Sequence, residues 1–437
     1  MNLFDRMLWV IALRSLLQHR LRTSLLMAAV AGVTALLVLL TGAYVGIKNT
    51  LLVSATTLMS GHVNVSGFYK ATASSSSPVV TGYGKVRTLV EKEIPEVDYI
   101  VQRGRGWAKL VSDNANQQVG LGGIDIDHEP GFRKVVQVKT GSLDGLRQPN
   151  SILIFEAQAK RLQVKVGDMV TIVAPTFRGT NNTLDVTVVA IAADIGMLSS
   201  WNTFMNGQGL RQLYQLNDET TGALQVYLKD IEQVKPVQEK LRKVLGAAGY
   251  ELLEPDPRPF FMKFDSVNRE NWTGQRLDVT NWEDETNFVQ WIVTALTVLA
   301  TIVIFALVAI IGVGIMNVMW ISIRERTREI GTLRAVGMQR TSVLSMFLAE
   351  GTLLGVLGTA TGVVAGVLGA LVASRVGIAL PPSWQFVFFS DHLIITPTPG
   401  WVAFALVFIT SSIALISLIP SFLAARLKPI TAMSHVG

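Results

Sequence analysis

The chain contains no cysteine among its 437 residues. That excludes a disulfide framework, thiol catalysis and a lipid-modified N-terminal cysteine. It is also poor in charge: 16% of residues are Asp, Glu, Lys or Arg, against roughly 25% in ordinary soluble domains. No G-x-x-x-x-G-K-[ST] loop occurs, so the chain has no Walker-type nucleotide site of its own, and H-E-x-x-H and G-x-S-x-G are missing too. The histidines at 19, 62, 128, 392 and 435 are dispersed. Asp125, Asp127 and His128 crowd together, which is compatible with a metal site or with an exposed polar turn over residues 123–130. We find no catalytic constellation, and the apolar runs lack the deep ionisable residues of an intramembrane enzyme. The reading is a chain that is not an enzyme and binds no cofactor or metal itself.

Charge is also unevenly placed. Residues 48–287 hold 26 Lys+Arg and 27 Asp+Glu, and the rest of the chain holds 12 and 5, out of 38 and 32. The basic excess thus clings to the flanks of long apolar runs. A membrane explains the pI of about 9.5 better than a nucleic-acid partner does.

Four runs, at 25–47, 288–323, 351–374 and 400–425, reach the roughly 20 residues a helix needs to cross a bilayer. The first exceeds the roughly 7–15 residues of a signal-peptide core and has no small-x-small site after it, so it reads as an uncleaved anchor. Arg6, Arg14, Arg20 and Arg22 precede it; Arg324, Arg326, Arg328, Arg334 and Arg340 separate the second and third runs; Arg426 and Lys428 follow the fourth. Short basic flanks mark the cytoplasmic side. Both termini and residues 324–342 are therefore expected in the cytoplasm, and 48–287 outside. A helix over 288–323 would be roughly 54 Å long against roughly 30 Å of hydrocarbon. The surplus predicts a stalk into the external domain, with a break at Gly312 or Gly314 as the alternative. In the third run, Gly351, Gly355, Gly358, Gly362, Gly366 and Gly369 are spaced 4, 3, 4, 4, 3 and share one helix face. Such a stripe lets backbones approach closely, within the four-helix set or across a seam between subunits. Glu350, beside it, is expected to pair with a nearby arginine. Residues 1–24 place Leu3, Met7, Val10, Ile11, Leu17 and Leu21 on one side, reading as an interfacial entry helix or a basic extension of the first span.

The domain map expected is an entry helix at 1–24 and spans at 25–47, 288–323 with its stalk, 343–374 and 400–425. An external domain occupies 48–287, a cytoplasmic segment 324–342, a short external loop 375–399 and a tail 426–437. The external domain is read as α+β in two subdomains: an α/β part at 48–100 and 222–287, and a β-rich insert at 101–221. Strands are expected at 62–66, 99–111, 169–174, 184–192, 224–228 and 250–253. Helices are expected at 85–94, toward the end of 152–162, and at 231–247. Residues 71–78, with their serine run, read as a flexible linker or loop tip.

The segment 324–337 carries the most specific pattern. Arg324, Glu325, Arg326, Arg328, Glu329 and Arg334 give a solvated helical face. Ile330, Leu333 and Val336 add an apolar ridge, and Gly331 and Gly337 permit close approach and a turn. Asn317-Val-Met319, Ile323-Arg-Glu-Arg-Thr-Arg-Glu-Ile-Gly331 and Leu333-Arg-Ala-Val-Gly337 resemble the characteristic segment of FtsX/MacB-type ABC transporter permeases. Phe347-Leu-Ala-Glu350, Ala424-Ala-Arg426, Pro429-Ile-Thr-Ala432 and the start from Ala12 to Thr23 extend the resemblance. Ser60-Gly-His-Val-Asn-Val65 and residues 162–168 look most like the lipoprotein-release (Lol-type) members.

The resemblance implies a bacterial inner-membrane permease subunit with a MacB-like periplasmic domain. It implies a separate ABC ATPase, present in two copies, that binds ATP and Mg and docks on residues 324–337. A second permease chain, identical or a paralogue, and membrane lipid complete the assembly, with a periplasmic carrier or effector as a further partner. The function implied is ATP-driven release or extrusion of a lipoprotein or other hydrophobic substrate. MacB-like efflux and mechanical signalling to a cell-wall hydrolase are the alternatives.

Overall fold

The computed structural model of the chain describes Arg14, Gln18, residues 20–176 and residues 179–426. Most of the expected entry helix and the terminal Pro429-Ile-Thr-Ala432 lie outside the described residues. Two compact units divide the chain: a helical unit of Met1–Lys48, Thr294–Ala379 and His392–Gly437, and an α/β unit of Asn49–Val293 and Leu380–Asp391.

Four helices, Arg20–Ala55, Asn287–Glu325, Arg340–Val376 and Pro399–Ala425, are long and apolar enough to cross a membrane. They are called the first to fourth spans. The second is one uninterrupted helix of 39 residues, which removes the alternative of a break at Gly312 or Gly314. Within the helical unit, Val30, Leu37, Phe347, Ile409 and Ile413 sit in the core. Leu36, Ile302, Phe305, Val364 and Val407 stay exposed, as lipid-facing side chains do, since hydrocarbon is as apolar as leucine.

The α/β unit is organised by β1 (Val63–Thr72), β2 (Ser75–Ser77), β3 (Val80–Thr81), β4 (Val97–Val111), β5 (Asn116–Ile124), β6 (Val138–Gly141) and β7 (Ser151–Phe155). They are followed by β8 (Met169–Pro175), β9 (Asn181–Ala192), β10 (Asn202–Asn206), β11 (Thr220–Thr221), β12 (Ala223–Leu228) and β13 (Gly274–Asn281). One mixed sheet runs β13-β1-β12-β4-β5-β10-β7-β9-β6, with β2 added to β1 and β8 pairing β4 and β9. The 15-residue β4 joins its halves: Val97–Arg103 pairs with β12, and Gly104–Val111 pairs with β5.

Each half has its own core. Val63, Val65, Val90, Leu224, Val226 and Leu277 gather in one. The helix Val234–Ala247 closes it with Val234, Val237, Leu241 and Leu245, the 3,4,4 spacing of one amphipathic face. Leu110, Val119, Ile152, Ile154, Ile172 and Leu213 gather in the other. Two ion pairs are sealed in this unit. Lys263 Nζ lies 2.6 Å from Asp278 Oδ2, and Arg103 Nη2 lies 2.9 Å from Glu129 Oε2.

Four local expectations are corrected or refined. Of the two readings of residues 71–78 the linker fails and the loop tip holds: Ala73 and Ser74 turn the chain, and Ser75–Ser77 folds back on β1 as β2, pairing Tyr69 with Ser77. The closing strand is β13, hydrogen-bonded along the length of β1; residues 250–253 supply only the bridge Leu252–Leu277. The stretch 101–221 also holds the helices Glu156–Leu162, Gly196–Trp201 and Gly207–Tyr214 beside its strands. Residues 375–399, expected as a short loop, contain the helix Pro382–Phe388. Gly196 admits that helix closely, where any Cβ would stand 2.3 Å from the Phe386 carbonyl oxygen.

Candidate functional site

The segment between the second and third spans is built from the helix ends upward. The second span ends at Glu325, and the backbone leaves the helical region at Arg326. A separate helix, Thr327–Ala335, follows. Gly337 stops it at φ +109°, a conformation glycine adopts at no steric cost. The Met338 amide donates to the Leu333 carbonyl at 3.0 Å and the Gly337 amide to the Arg334 carbonyl at 3.2 Å. This pairing satisfies the orphan carbonyls of the helix end.

Residues four apart lie on one helix face. Arg326, Ile330 and Arg334 turn inward. Ile330 is 2% exposed within the core that holds Val343, Phe347 and Ala424. The Arg326 guanidinium, 14% exposed, reaches Glu350 Oε2 at 3.3 Å and Glu329 Oε2 at 3.7 Å. Arg334 Nη1 donates to the Ala425 carbonyl at 3.0 Å, tying the helix to the end of the fourth span. Gly331 is buried beside Ile330. On the other face Arg324, Glu325, Arg328, Glu329 and Leu333 are exposed. So is Val336, at 88%.

The ridge expected from Ile330, Leu333 and Val336 therefore divides: Ile330 anchors, while Leu333 and Val336 point outward with the charges. Arg326 braces the helix through Glu350 and does not stand in the solvated face. The arginine expected beside Glu350 is thus Arg326, 24 residues away; the sequence pattern pointed to the pairing but not to which arginine makes it.

The glycine stripe is taken up inside the helical unit. Gly351 and Gly355 approach Ser417 and Ile413 of the fourth span, and Gly358, Gly362 and Gly366 approach Val30, Thr34 and Val38 of the first. A Cβ on Gly362 would stand 2.5 Å from the Ala31 carbonyl oxygen. Gly369 has more room, 3.7 Å from Leu39.

Asp125, Asp127 and His128 form a turn. Asp125 Oδ1 accepts from the Asp127 amide at 3.3 Å, and His128 Nδ1 lies 2.9 Å from Asp125 Oδ2. Arg147, 2.6 Å from the Asp127 carboxyl, holds that carboxyl below the usual carboxylate range. Among the described residues no group of three or more His, Cys, Asp or Glu could hold a metal ion.

Two family models match the chain: a MacB-like periplasmic core domain over residues 23–244 and an FtsX-like permease C-terminal region over residues 291–429. The chain is 39% identical over 124 residues to the macrolide export ATP-binding/permease protein MacB of Nitrobacter winogradskyi, covering 28% of this chain and 17% of that one. It is 36% identical over 123 residues to the pyoverdine export ATP-binding/permease protein PvdT of Pseudomonas syringae pv. tomato, covering 28% and 16%. The matched stretch thus spans less than a quarter of the length of these curated relatives. The extracellular domain of the ABC-type transporter YknZ aligns at 13% identity with TM-score 0.30, over 49% of this chain and 98% of that one. The periplasmic region of MacB from Actinobacillus actinomycetemcomitans aligns at 12% identity with TM-score 0.29, over 53% and 94%. With residues 23–244 matched by the one model and 291–429 by the other, the chain belongs to the family of FtsX-like permeases that carry a MacB-like periplasmic core domain.

Proposed function

We propose that this chain is the membrane subunit of an ABC transporter, driven by a separate ATPase that binds ATP and Mg. The observation that carries the reading is the two-faced helix Thr327–Ala335. Its anchoring face is committed to the spans through Arg326, Ile330 and Arg334, and its outer face leaves Leu333 and Val336 exposed among charges. An apolar pair held rigidly in a charged surface suits a protein partner better than bulk water. Arg328 and Glu329 on the same helix, and Arg324 and Glu325 just before it, are exposed as well, the polar residues a docking patch carries at its rim.

In this reading two ATPase copies and two permease chains, identical or paralogous, form the working unit in the bacterial inner membrane. Both termini and residues 324–342 face the cytoplasm, and the MacB-like domain faces the periplasm. ATP-driven closure of the ATPases moves the docked helix and, through the first and second spans, the periplasmic domain. The cargo is a hydrophobic or amphipathic molecule. The sequence resemblance favours lipoprotein release to a periplasmic carrier, and the names of the MacB and PvdT relatives favour export of a small molecule.

Tagged chain recovered from its native host is expected to bring down a nucleotide-hydrolysing subunit in equal amount; recovery of the chain alone contradicts the reading. Cysteines placed at Ser75 and Thr341 test the orientation. In intact cells an impermeant thiol reagent should label only the first, and labelling of the second would invert the topology.

A further inference from the structure

In the sequence Arg103-Gly-Arg-Gly-Trp107 on β4, Gly104–Trp107 faces Gly120-Leu-Gly-Gly123 on β5, and Arg103 pairs with Ala223 of β12. Successive strand residues alternate sides, so Arg103, Arg105 and Trp107 share one face. The register sets Arg105 opposite Gly122 and Trp107 opposite Gly120. Opposite those two residues β5 thus offers no side chains, and a cavity of about 360 Å³ remains in the α/β unit, within the roughly 300–1,000 Å³ of small-molecule pockets. Its walls are apolar and aromatic, with Phe204, Phe260, Phe261 and Trp201 beside Trp107. Trp107 and Trp201 are 46% and 59% exposed at its rim, so the cavity is reached from solvent past two indoles.

Two buried arginines, Arg103 and Arg105, are among the residues that line this apolar space. Arg103, 2% exposed, spends Nη2 on Glu129 at 2.9 Å and on the Thr57 carbonyl at 3.3 Å. Arg105, 7% exposed, spends Nη2 on Asn64 Oδ1 at 3.0 Å and on the Met59 carbonyl at 3.4 Å, and its Cζ lies 4.7 Å from the Phe260 ring centre. Unlike Arg103, it makes no direct ion pair among the described residues, although the Glu285 and Asp278 carboxylates favour its charge from farther off. Glu285 also lines the cavity, but its oxygens accept from Thr280 Oγ1 at 2.8 Å and the Phe260 amide at 3.4 Å. On both arginines Nη1 is buried and has no partner within the protein. Buried charged donors are ordinarily satisfied, and both residues line a space large enough for a ligand.

We propose that this cavity is a binding site for an amphipathic anion. A phosphate or carboxylate head would engage Nη1 of Arg105 and Arg103, and a single apolar chain would lie along the aromatic wall. The glycines of β5 make the room, the arginines fix the head, and Trp107 and Phe261, in edge contact at 6.4 Å, flank the tail. The head alone would leave the aromatic wall wet, and the tail alone would leave the guanidinium donors unsatisfied. Affinity therefore requires both.

The test uses the full chain in nanodiscs of zwitterionic lipid and an alkyl phosphate with a diazirine on its chain. Photolabelling is expected on peptides containing Trp107, Trp201 or Phe261, and to fall at least fivefold in Arg105→Gln. Excess dodecyl phosphate should remove the label, whereas inorganic phosphate and dodecyltrimethylammonium should not. Trp107→Ala, an exposed rim change that moves no buried charge, should also weaken labelling with unfolding temperature unchanged. Undiminished labelling in either folded variant, or competition by inorganic phosphate or by the cationic amphiphile, overturns the proposal. No ATPase takes part, so the result stands apart from the docking reading.

Discussion

The helical unit and the α/β unit use the same residue types in opposite ways. In the helical unit, large apolar side chains such as Ile302, Phe305 and Val364 are exposed, and backbone contact at Gly351, Gly358 and Gly362 holds the helices together. In the α/β unit, Ile152, Ile154, Leu224 and Val226 are fully buried, and even Arg103, Lys263 and Asp278 are enclosed. Water drives the second arrangement, because apolar area removed from it is stabilising. Lipid gives no such drive, so close packing of small residues takes its place. An apolar residue thus signals the inside of one unit and the outside of the other.

Substitutions at matched positions break or sharpen that contrast. The largest effect is expected from Gly362→Leu, because the Ala31 carbonyl oxygen and Thr34 occupy the space. Overpacking costs about 3 kcal/mol or more where backbone cannot yield, and folded, membrane-inserted protein should be lost. Gly314→Leu, with no atom within 4 Å of the new Cβ, should be recovered normally. Equal recovery of both would remove the glycine contacts as the cause of packing.

Next in size is Ile154→Ala in the α/β core. It should destabilise that unit by about 2–5 kcal/mol in urea unfolding. The same truncation at lipid-facing Val364, 59% exposed, should stay within about 0.5 kcal/mol. Similar losses at both would mean that the two units follow one packing rule.

The smallest effect is a slope. Burial pushes the Glu129 carboxyl up to about 7, against the pull of the Arg103 guanidinium. A carboxyl that titrates higher when folded contributes stability below its ordinary value near 4.5, and that stability is lost as pH rises to about 7. His62 runs the other way. Burial lowers it to about 4, so its contribution is present above 6.5 and lost as pH falls. Glu129→Gln removes the first trend and leaves the second. Its melting temperature, relative to the native chain, should improve steadily from about pH 4.5 to about 7. Parallel curves would show that Glu129 does not titrate in that range.

The spans were legible because charge disappears for long stretches and returns as arginine at their edges. The strands β1, β4, β8 and β9 were legible from alternation and β-branched residues. By contrast β5 carries Gly120, Gly122 and Gly123, and β10 is five residues long with asparagine at both ends. Each is a strand because of its neighbours: β10 lies parallel to β5 and antiparallel to β7, pairings distant in sequence. The segment 324–337 announced its charges and glycines, but not which face turns inward. That depends on which arginine Glu350 takes and on the Ala425 carbonyl: the sequence pointed to an arginine partner for Glu350, but no local pattern singles out Arg326 or reports the carbonyl. The cavity was equally hidden, since it arises from a register that sets glycines opposite Arg105 and Trp107.

The central claim is that the helix Thr327–Ala335 has one face for the spans and another for a motor. It is tested most directly by changing the outer face alone. Leu333→Asp with Val336→Asp, both at exposed positions, should leave the chain folded and inserted while abolishing recovery of a nucleotide-hydrolysing subunit with it. Full recovery of that subunit with the double variant would contradict the account.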